Sequence, residues 1–105
     1  LWETYVVCQW LRWRDWHAPS ASLWYWRDRS HEVDLVVARG QQLDAIECKL
    51  SERPTAGDAR GIEALRGFYG EDTVRSAWIA CPAPVHHEVA PGVTAVSGWT
   101  TWDLS

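Results

Sequence analysis

The stretch that decides the fold is His31–Leu50, HEVDLVVARGQQLDAIECKL. Apolar and polar residues alternate on both sides of Gly40, and valine and isoleucine, which favour strands, are frequent. A glycine followed by two polar residues is typical of a tight connection between strands. The stretch therefore predicts an antiparallel hairpin with strands over His31–Arg39 and Leu43–Leu50.

Charged residues are expected on one face of this hairpin. Because side chains alternate along a strand, Glu32 and Asp34 share a face of the first strand, and Glu47 and Lys49 share a face of the second. Neighbouring strands lie about 4.8 Å apart, so Asp34 and Glu47 are expected to be close enough to share one cation. The same alternation assigns the opposite face to Val33, Leu35, Val37, Ile46, Cys48 and Leu50.

Two carboxylates beside a lysine are the residue types of a metal-dependent phosphodiesterase. Mg²⁺ and Mn²⁺ prefer oxygen ligands and retain several waters, so one or two carboxylates and a substrate phosphate suffice. Lys49 would orient a metal-activated water or stabilise charge in the transition state. Acids and a lysine that alternate with valine and isoleucine more often form a solvent-exposed hairpin face with cross-strand ion pairs, so both interpretations remain open here. Lys49 is nevertheless the single lysine beside nine arginines, which favours a specific role for its compact ammonium.

Length and composition limit the class of protein. A chain of 105 residues with 47% apolar and 23% charged residues is typical of one globular domain, which we assign to residues 1–105. No stretch approaches the roughly 18 apolar residues of a membrane span. The start at Leu1, without a signal-like segment, indicates a fragment of a longer protein.

Charge and cysteine content indicate the compartment and the partners. Three cysteines, Cys8, Cys48 and Cys81, form no CxxC pair, which predicts free thiols in the cytoplasm. The net charge of -4 argues against a protein that grips nucleic acid unaided, because lysine and arginine dominate phosphate binding. A nuclease of this composition is therefore expected to act together with another domain.

The rest of the chain predicts helices on both sides of the hairpin. Apolar residues at spacings of three and four predict helices over Trp2–Trp16 and Ile62–Tyr69. Further strands are predicted at Leu23–Trp26, Val74–Cys81 and Val93–Val96, with residues 82–92 as a loop rich in proline. The predicted order is αβββαββ, an α/β domain with a mixed sheet flanked by helices.

Four short motifs in this order carry a family resemblance. They are Leu1-Trp2-Glu3, Leu23-Trp24-Tyr25-Trp26-Arg27, Glu32-Val33-Asp34-Leu35-Val36-Val37 and Ile46-Glu47-Cys48-Lys49. Together they resemble the PD-(D/E)xK nuclease superfamily, and within it the domain that follows the ATPase module in a family of prokaryotic AAA-type ATPases. The resemblance covers residues 1 to about 70, and Val33 stands where the superfamily's name writes proline.

The resemblance implies a restriction-endonuclease-like αβββαβ core and a role for each acid. Asp34 and Glu47 would be the carboxylates that bind Mg²⁺ or Mn²⁺, and Lys49 the catalytic lysine. Glu3 would be an additional acid reaching in from the first helix, and Glu32 an outer partner of the ligands. The implied partners are nucleic acid and the ATPase domain of the same protein. The alternative is a catalytically silent module that docks on that ATPase.

Two other groups of residues have plain structural interpretations. His86, His87 and Glu88 are adjacent, and adjacent side chains point apart, so we expect a loop pair rather than a metal site. Most of the tryptophans, namely Trp2, Trp10, Trp13, Trp24 and Trp26, are expected in the core. Trp99 and Trp102 are the better candidates for an exposed surface.

Overall fold

The hairpin predicted from the sequence lies inside a larger sheet with a helix on each face. A computed structural model of the chain describes residues 1–99. The helices are α1 (Trp2–His17) and α2 (Arg60–Tyr69), the latter preceded by a 3-10 turn, Ala56–Ala59. The strands are β1 (Ser22–Arg27), β2 (Glu32–Arg39), β3 (Gln42–Cys48), β4 (Val74–Cys81), β5 (His86–Ala90) and β6 (Val93–Ser97).

The six strands form one mixed sheet in the order β1-β2-β3-β4-β6-β5. The pairs β1–β2, β2–β3 and β5–β6 are antiparallel, as hairpins require, while β3–β4 and β4–β6 are parallel. Helix α2 connects β3 to β4, because parallel neighbours need a crossover connection. The predicted α/β class, mixed sheet and flanking helices are confirmed.

Each helix closes a separate apolar core. On one face, Val6, Trp10 and Trp13 of α1 pack against a cluster that includes Leu35 and Ile46. On the other face, Ile62 and Leu65 of α2 pack against strand residues that include Val36, Ala45 and Ile79. Strands β2 and β3 therefore contribute apolar side chains to both cores, as central strands covered on two faces do.

Residues 82–92 contain a strand that the sequence interpretation missed. The prediction of a loop is wrong for His86–Ala90, which form β5 and pair antiparallel with β6 at the edge of the sheet. The prolines at 82, 84 and 91 flank this strand and do not interrupt its ladder. An edge strand needs only one partner and leaves His86, His87 and Glu88 exposed, so its sequence carries little apolar alternation.

Strict alternation along the hairpin is also wrong at two positions. Trp24 pairs with Val36 and Trp26 with Val33, so β2 carries one more residue than β1 in this interval. This bulge moves Val33 onto the α2 side, whereas Leu35 stays on the α1 side. Leu50 lies beyond the end of β3 and is 73% exposed instead of packing on the apolar face.

The tryptophans divide between core and surface. Trp10, Trp13 and Trp26 are buried and Trp2 packs partly against the α1 core, as predicted. The prediction is wrong for Trp24, which is exposed on the edge strand β1. Trp99 is exposed, as predicted, and Trp102 lies outside the described residues. The three cysteines are free thiols, as expected.

Neither α1 nor α2 is long and apolar enough to cross a membrane.

Candidate metal centre

Strands β2 and β3 separate at one end, and the candidate site lies in the gap. Their ladder reaches as far as the pair Leu35 and Ile46. Beyond it, Oδ2 of Asp34 accepts a hydrogen bond from the backbone N–H of Cys48 at 2.8 Å. Strand β3 continues along β4 instead, where the N–H of Lys49 donates to the carbonyl of Ala80 at 2.9 Å. The gap therefore leaves Asp34 facing the end of β3 while the backbone there stays paired.

Helix α2 closes one side of this gap at Gly61. A Cβ built on Gly61 would lie 2.0 Å from the carbonyl oxygen of Glu32 and 3.2 Å from Oε2 of Glu47. Only glycine permits this close approach of the first turn of α2 to the backbone of β2. As a result Glu47, which points to the α2 side of the sheet, is only 6% exposed.

The acids at the site perturb one another. Burial, and then the adjacent Asp34 carboxyl, raise the pKa of Glu47 to about 9, while the charge of Lys49 acts in the opposite direction. At neutral pH without metal, Glu47 is therefore protonated, and its O–H donates a hydrogen bond to the carboxyl group of Asp34. Desolvation, and then the charge of Asp34, raise the pKa of Glu3 as well. Both glutamates thus have a raised pKa beside Asp34.

The thiol of Cys48, which lies between Glu47 and Lys49 in the sequence, is held in its unreactive, protonated form. Burial, and then the surrounding carboxylates with Asp34 first, raise the pKa of Cys48 far above its ordinary value. Its side chain packs against the α1 core. This agrees with the expected placement of Cys48 on the face opposite the acids, and a thiol without its thiolate form is unreactive.

An open cavity of about 560 Å³ connects these groups to solvent. It brings together all the residues predicted for the site from sequence, which are Glu3, Glu32, Asp34, Glu47 and Lys49. Helix α1 supplies Glu3 and the rim of β2 supplies the exposed Glu32. Across residues 1–99, no lysine, arginine or histidine side chain forms an ion pair with Asp34 or Glu47.

The ligand set suits a metal that keeps its waters. Among residues 1–99, no group of three or more histidine, cysteine or acidic side chains is arranged to hold a metal ion. A dedicated protein cage, such as a zinc site, is therefore not present in that part of the chain. Two neighbouring carboxylates that open onto a cavity fit Mg²⁺ or Mn²⁺, which bind through one or two carboxylates and several waters.

Other residues of the cavity wall were not predicted from the sequence. Gly61, Trp2 and Arg60 also line it. Gly61 stands just before the predicted helix Ile62–Tyr69, where glycine is common in a connection, so no signal in the sequence indicated its role. In contrast, His86, His87 and Glu88 are exposed on the edge strand β5 and do not line the cavity.

Comparison with known proteins gives a family and no closer relative. No curated protein and no solved structure matches the chain. One family model matches residues 1–90, a span that includes both helices, the separated strands and every acid of the cavity. The chain therefore belongs to the family described as domain of unknown function DUF4143.

Proposed function

We propose that this domain is a Mg²⁺- or Mn²⁺-dependent phosphodiesterase of the PD-(D/E)xK type that acts on nucleic acid. In this proposal the mixed sheet and its helices are a restriction-endonuclease-like core. Asp34 and Glu47 bind the metal, Lys49 is the catalytic lysine, and Glu3 and Glu32 support them. The observation that carries the proposal is the buried carboxyl group of Glu47 next to the half-buried Asp34, at one cavity with the single lysine of the chain.

This pair differs from a solvent-exposed hairpin face. Cross-strand ion pairs on such a face are exposed and of opposite charge, whereas Glu47 is 6% exposed and adjoins another acid. The other buried acid among residues 1–99, Asp44, is instead paired with Arg39. Burying one acid next to another is costly unless a cation or a proton compensates the charge. A divalent cation supplies that compensation.

The chain's own residues have distinct tasks in this mechanism. Asp34 is anchored by the N–H of Cys48, so one of its oxygens is held while the other remains available as a ligand. Glu47 is held between the sheet and α2, which restricts its carboxyl to the cavity. Asp34 and Glu47 would hold the metal, which would supply a Lewis acid for the scissile phosphate and for an attacking water. Lys49 would orient a water or stabilise the negative charge of the transition state.

The partners follow from charge. A net charge of -4 provides weak attraction for nucleic acid, so we propose that the ATPase domain of a longer cytoplasmic protein delivers the substrate. A second candidate function, a silent module that docks on that ATPase, is favoured by exposed aromatic side chains. Trp16 is 83% and Phe68 is 71% exposed, and large exposed apolar groups often mark binding surfaces.

Calorimetric titration with Mn²⁺ tests the metal site. The wild-type domain is expected to bind one ion, and Asp34→Ala and Glu47→Ala to abolish binding. Glu71→Gln, an exposed acid outside the cavity, is the matched control and should bind as the wild type does. Equal binding by all four chains would refute the metal site.

A cleavage assay separates the two functions. Single-stranded, duplex and branched DNA and RNA are incubated with Mg²⁺ or Mn²⁺ and either the wild type or Lys49→Ala. Cleavage that disappears in Lys49→Ala supports the phosphodiesterase. Metal binding without cleavage, in the domain joined to its ATPase, would favour the docking module.

A further inference from the structure

We infer that Trp2, on the cavity wall, and Trp99, packed on Trp2, are positioning residues that hold Glu3 at the cavity beside Asp34. The inference rests on the proposed function, because it concerns the geometry of the same acids. Neither tryptophan is assigned a role by the family match, and Trp99 lies beyond the residues that the family model covers.

Trp2 connects the start of α1 to the end of β3 through the carbonyl of Ala80 on β4. Its indole Nε1 donates to the carbonyl oxygen of Ala80 at 3.0 Å. The same oxygen accepts the backbone N–H of Lys49 at 2.9 Å. Helix α1 and the end of β3 are therefore joined through a single acceptor, and Glu3 is the next residue after Trp2 in the chain.

The chain that follows β6 closes over Trp2 from the other side. The Trp99 ring meets those of Trp2 and Tyr5 edge-on, with centroids 5.0 Å and 4.9 Å away, respectively. Its Nε1 donates to the carbonyl of Pro82 at 3.0 Å, which fixes the ring to the end of β4. A Cβ on Gly98 would lie 2.4 Å from the Trp2 ring, so this residue also packs directly on it.

Without this aromatic cluster of Trp2, Tyr5 and Trp99, little would hold Glu3 in place. Glu3 is exposed and sits in the first turn of α1, where helices fray most readily. It lines the same cavity as Asp34. Two carboxyl groups of like charge do not attract each other, so the position of Glu3 beside Asp34 depends on the first turn of α1 being held in place. The contacts of the aromatic cluster hold this turn of α1 in place.

A double-mutant cycle on Mn²⁺ affinity tests the inference. The four chains are the wild type, Glu3→Gln, Trp99→Ala and the double variant, titrated calorimetrically below their unfolding temperatures. Outer partners of metal ligands typically contribute at least about tenfold to affinity, so each single variant should bind about tenfold more weakly. The double variant should bind no more weakly than Glu3→Gln, because Trp99 acts through Glu3.

Two further variants guard against a general loss of structure. Trp99→Phe keeps the ring and should stay close to wild-type affinity, whereas Gly98→Ala should displace the Trp2 ring and reproduce Trp99→Ala. Trp16→Ala removes an exposed tryptophan from the other end of α1 and should change nothing. A merely structural role of Trp99 would weaken binding equally with and without the Glu3 carboxylate.

The outcomes distinguish this inference from the proposed function. Wild-type chains that bind no Mn²⁺ would overturn both. Binding that requires Asp34 and Glu47 but is unchanged in Trp99→Ala, or losses that multiply in the double variant, would overturn the positioning role alone.

Discussion

The side chain of Asp34 replaces a backbone hydrogen bond of the sheet. Its Oδ2 accepts a hydrogen bond from the backbone N–H of Cys48 at 2.8 Å, at the point where the β2–β3 ladder has ended. Without this bond, the N–H of Cys48 would be an unpaired donor in a partly buried position, which costs free energy. The bond therefore lets two central strands separate without that loss. It also fixes one candidate ligand relative to the strand that carries Glu47.

This relationship predicts different outcomes for two substitutions of Asp34. Asp34→Asn keeps an oxygen acceptor and removes the charge, so stability should change little while Mn²⁺ binding is lost. Asp34→Ala also leaves the Cys48 N–H unpaired and should lower the free energy of unfolding by about 1–3 kcal/mol. Urea denaturation and calorimetry measure the two effects. Retention of wild-type Mn²⁺ affinity in Asp34→Asn would contradict the assignment of Asp34 as a ligand.

The raised pKa of Glu47 predicts the pH dependence of stability in the absence of metal. Between the ordinary value of 4.5 and about 9, folded Glu47 keeps a proton that the unfolded chain releases. The folded state then binds more protons, so the free energy of unfolding should fall as pH rises through this window. Glu47→Gln does not titrate and should show a flatter profile. Urea denaturation in EDTA at several pH values checks this, and parallel profiles would contradict it.

The raised pKa of Glu47 also predicts how Mn²⁺ affinity depends on pH. A metal ion must displace the Glu47 proton before that carboxylate can bind it, so affinity should increase with pH up to about 9. Calorimetric titrations in buffers of different ionisation enthalpy measure the number of protons released. A proton release near zero at neutral pH would indicate that Glu47 is already ionised.

Two glycines of α2 should respond in opposite directions to the same change. Gly61→Ala forces a Cβ against the carbonyl of Glu32, so it should destabilise the fold by about 1–3 kcal/mol and weaken Mn²⁺ binding as α2 moves away. Gly67→Ala is the matched control. It lies in the same helix with nothing within 4 Å of its Cβ, and should stabilise the fold by about 0.5–1 kcal/mol. Thermal and urea denaturation compare the two, and equal stabilities would contradict the close packing at Gly61.

The ion pair at the opposite end of the hairpin should matter for stability alone. Arg39 pairs with the buried Asp44 and its guanidinium lies 5.5 Å from the centroid of the Trp13 ring. Arg39→Ala leaves Asp44 unpaired and should cost about 1–3 kcal/mol, of which adding Asp44→Asn should restore part. Mn²⁺ affinity should be unchanged in both, because neither residue lines the cavity. A change in metal affinity would contradict this separation.

Local pattern determined much of this protein. The alternation around Gly40 was sufficient for the hairpin, and apolar spacing was sufficient for α1 and α2, because these periods follow from backbone geometry. The pattern also predicted that Glu32, Asp34, Glu47 and Lys49 lie together, and they line one cavity, although the bulge in β2 interrupts the alternation on which the prediction rested. The metal-binding and catalytic roles of these residues stay predictions.

Only the tertiary structure decided which acid is buried and what supports it. The approach of α2 through Gly61 buries Glu47, and the bulge in β2 places Val33 with the α2 core, both against residues distant in sequence. The edge strand β5 and the contact of Trp99 with Trp2 likewise join segments that no local period relates. Side-chain periodicity is a property of one strand or helix, whereas burial and pKa depend on what packs against it.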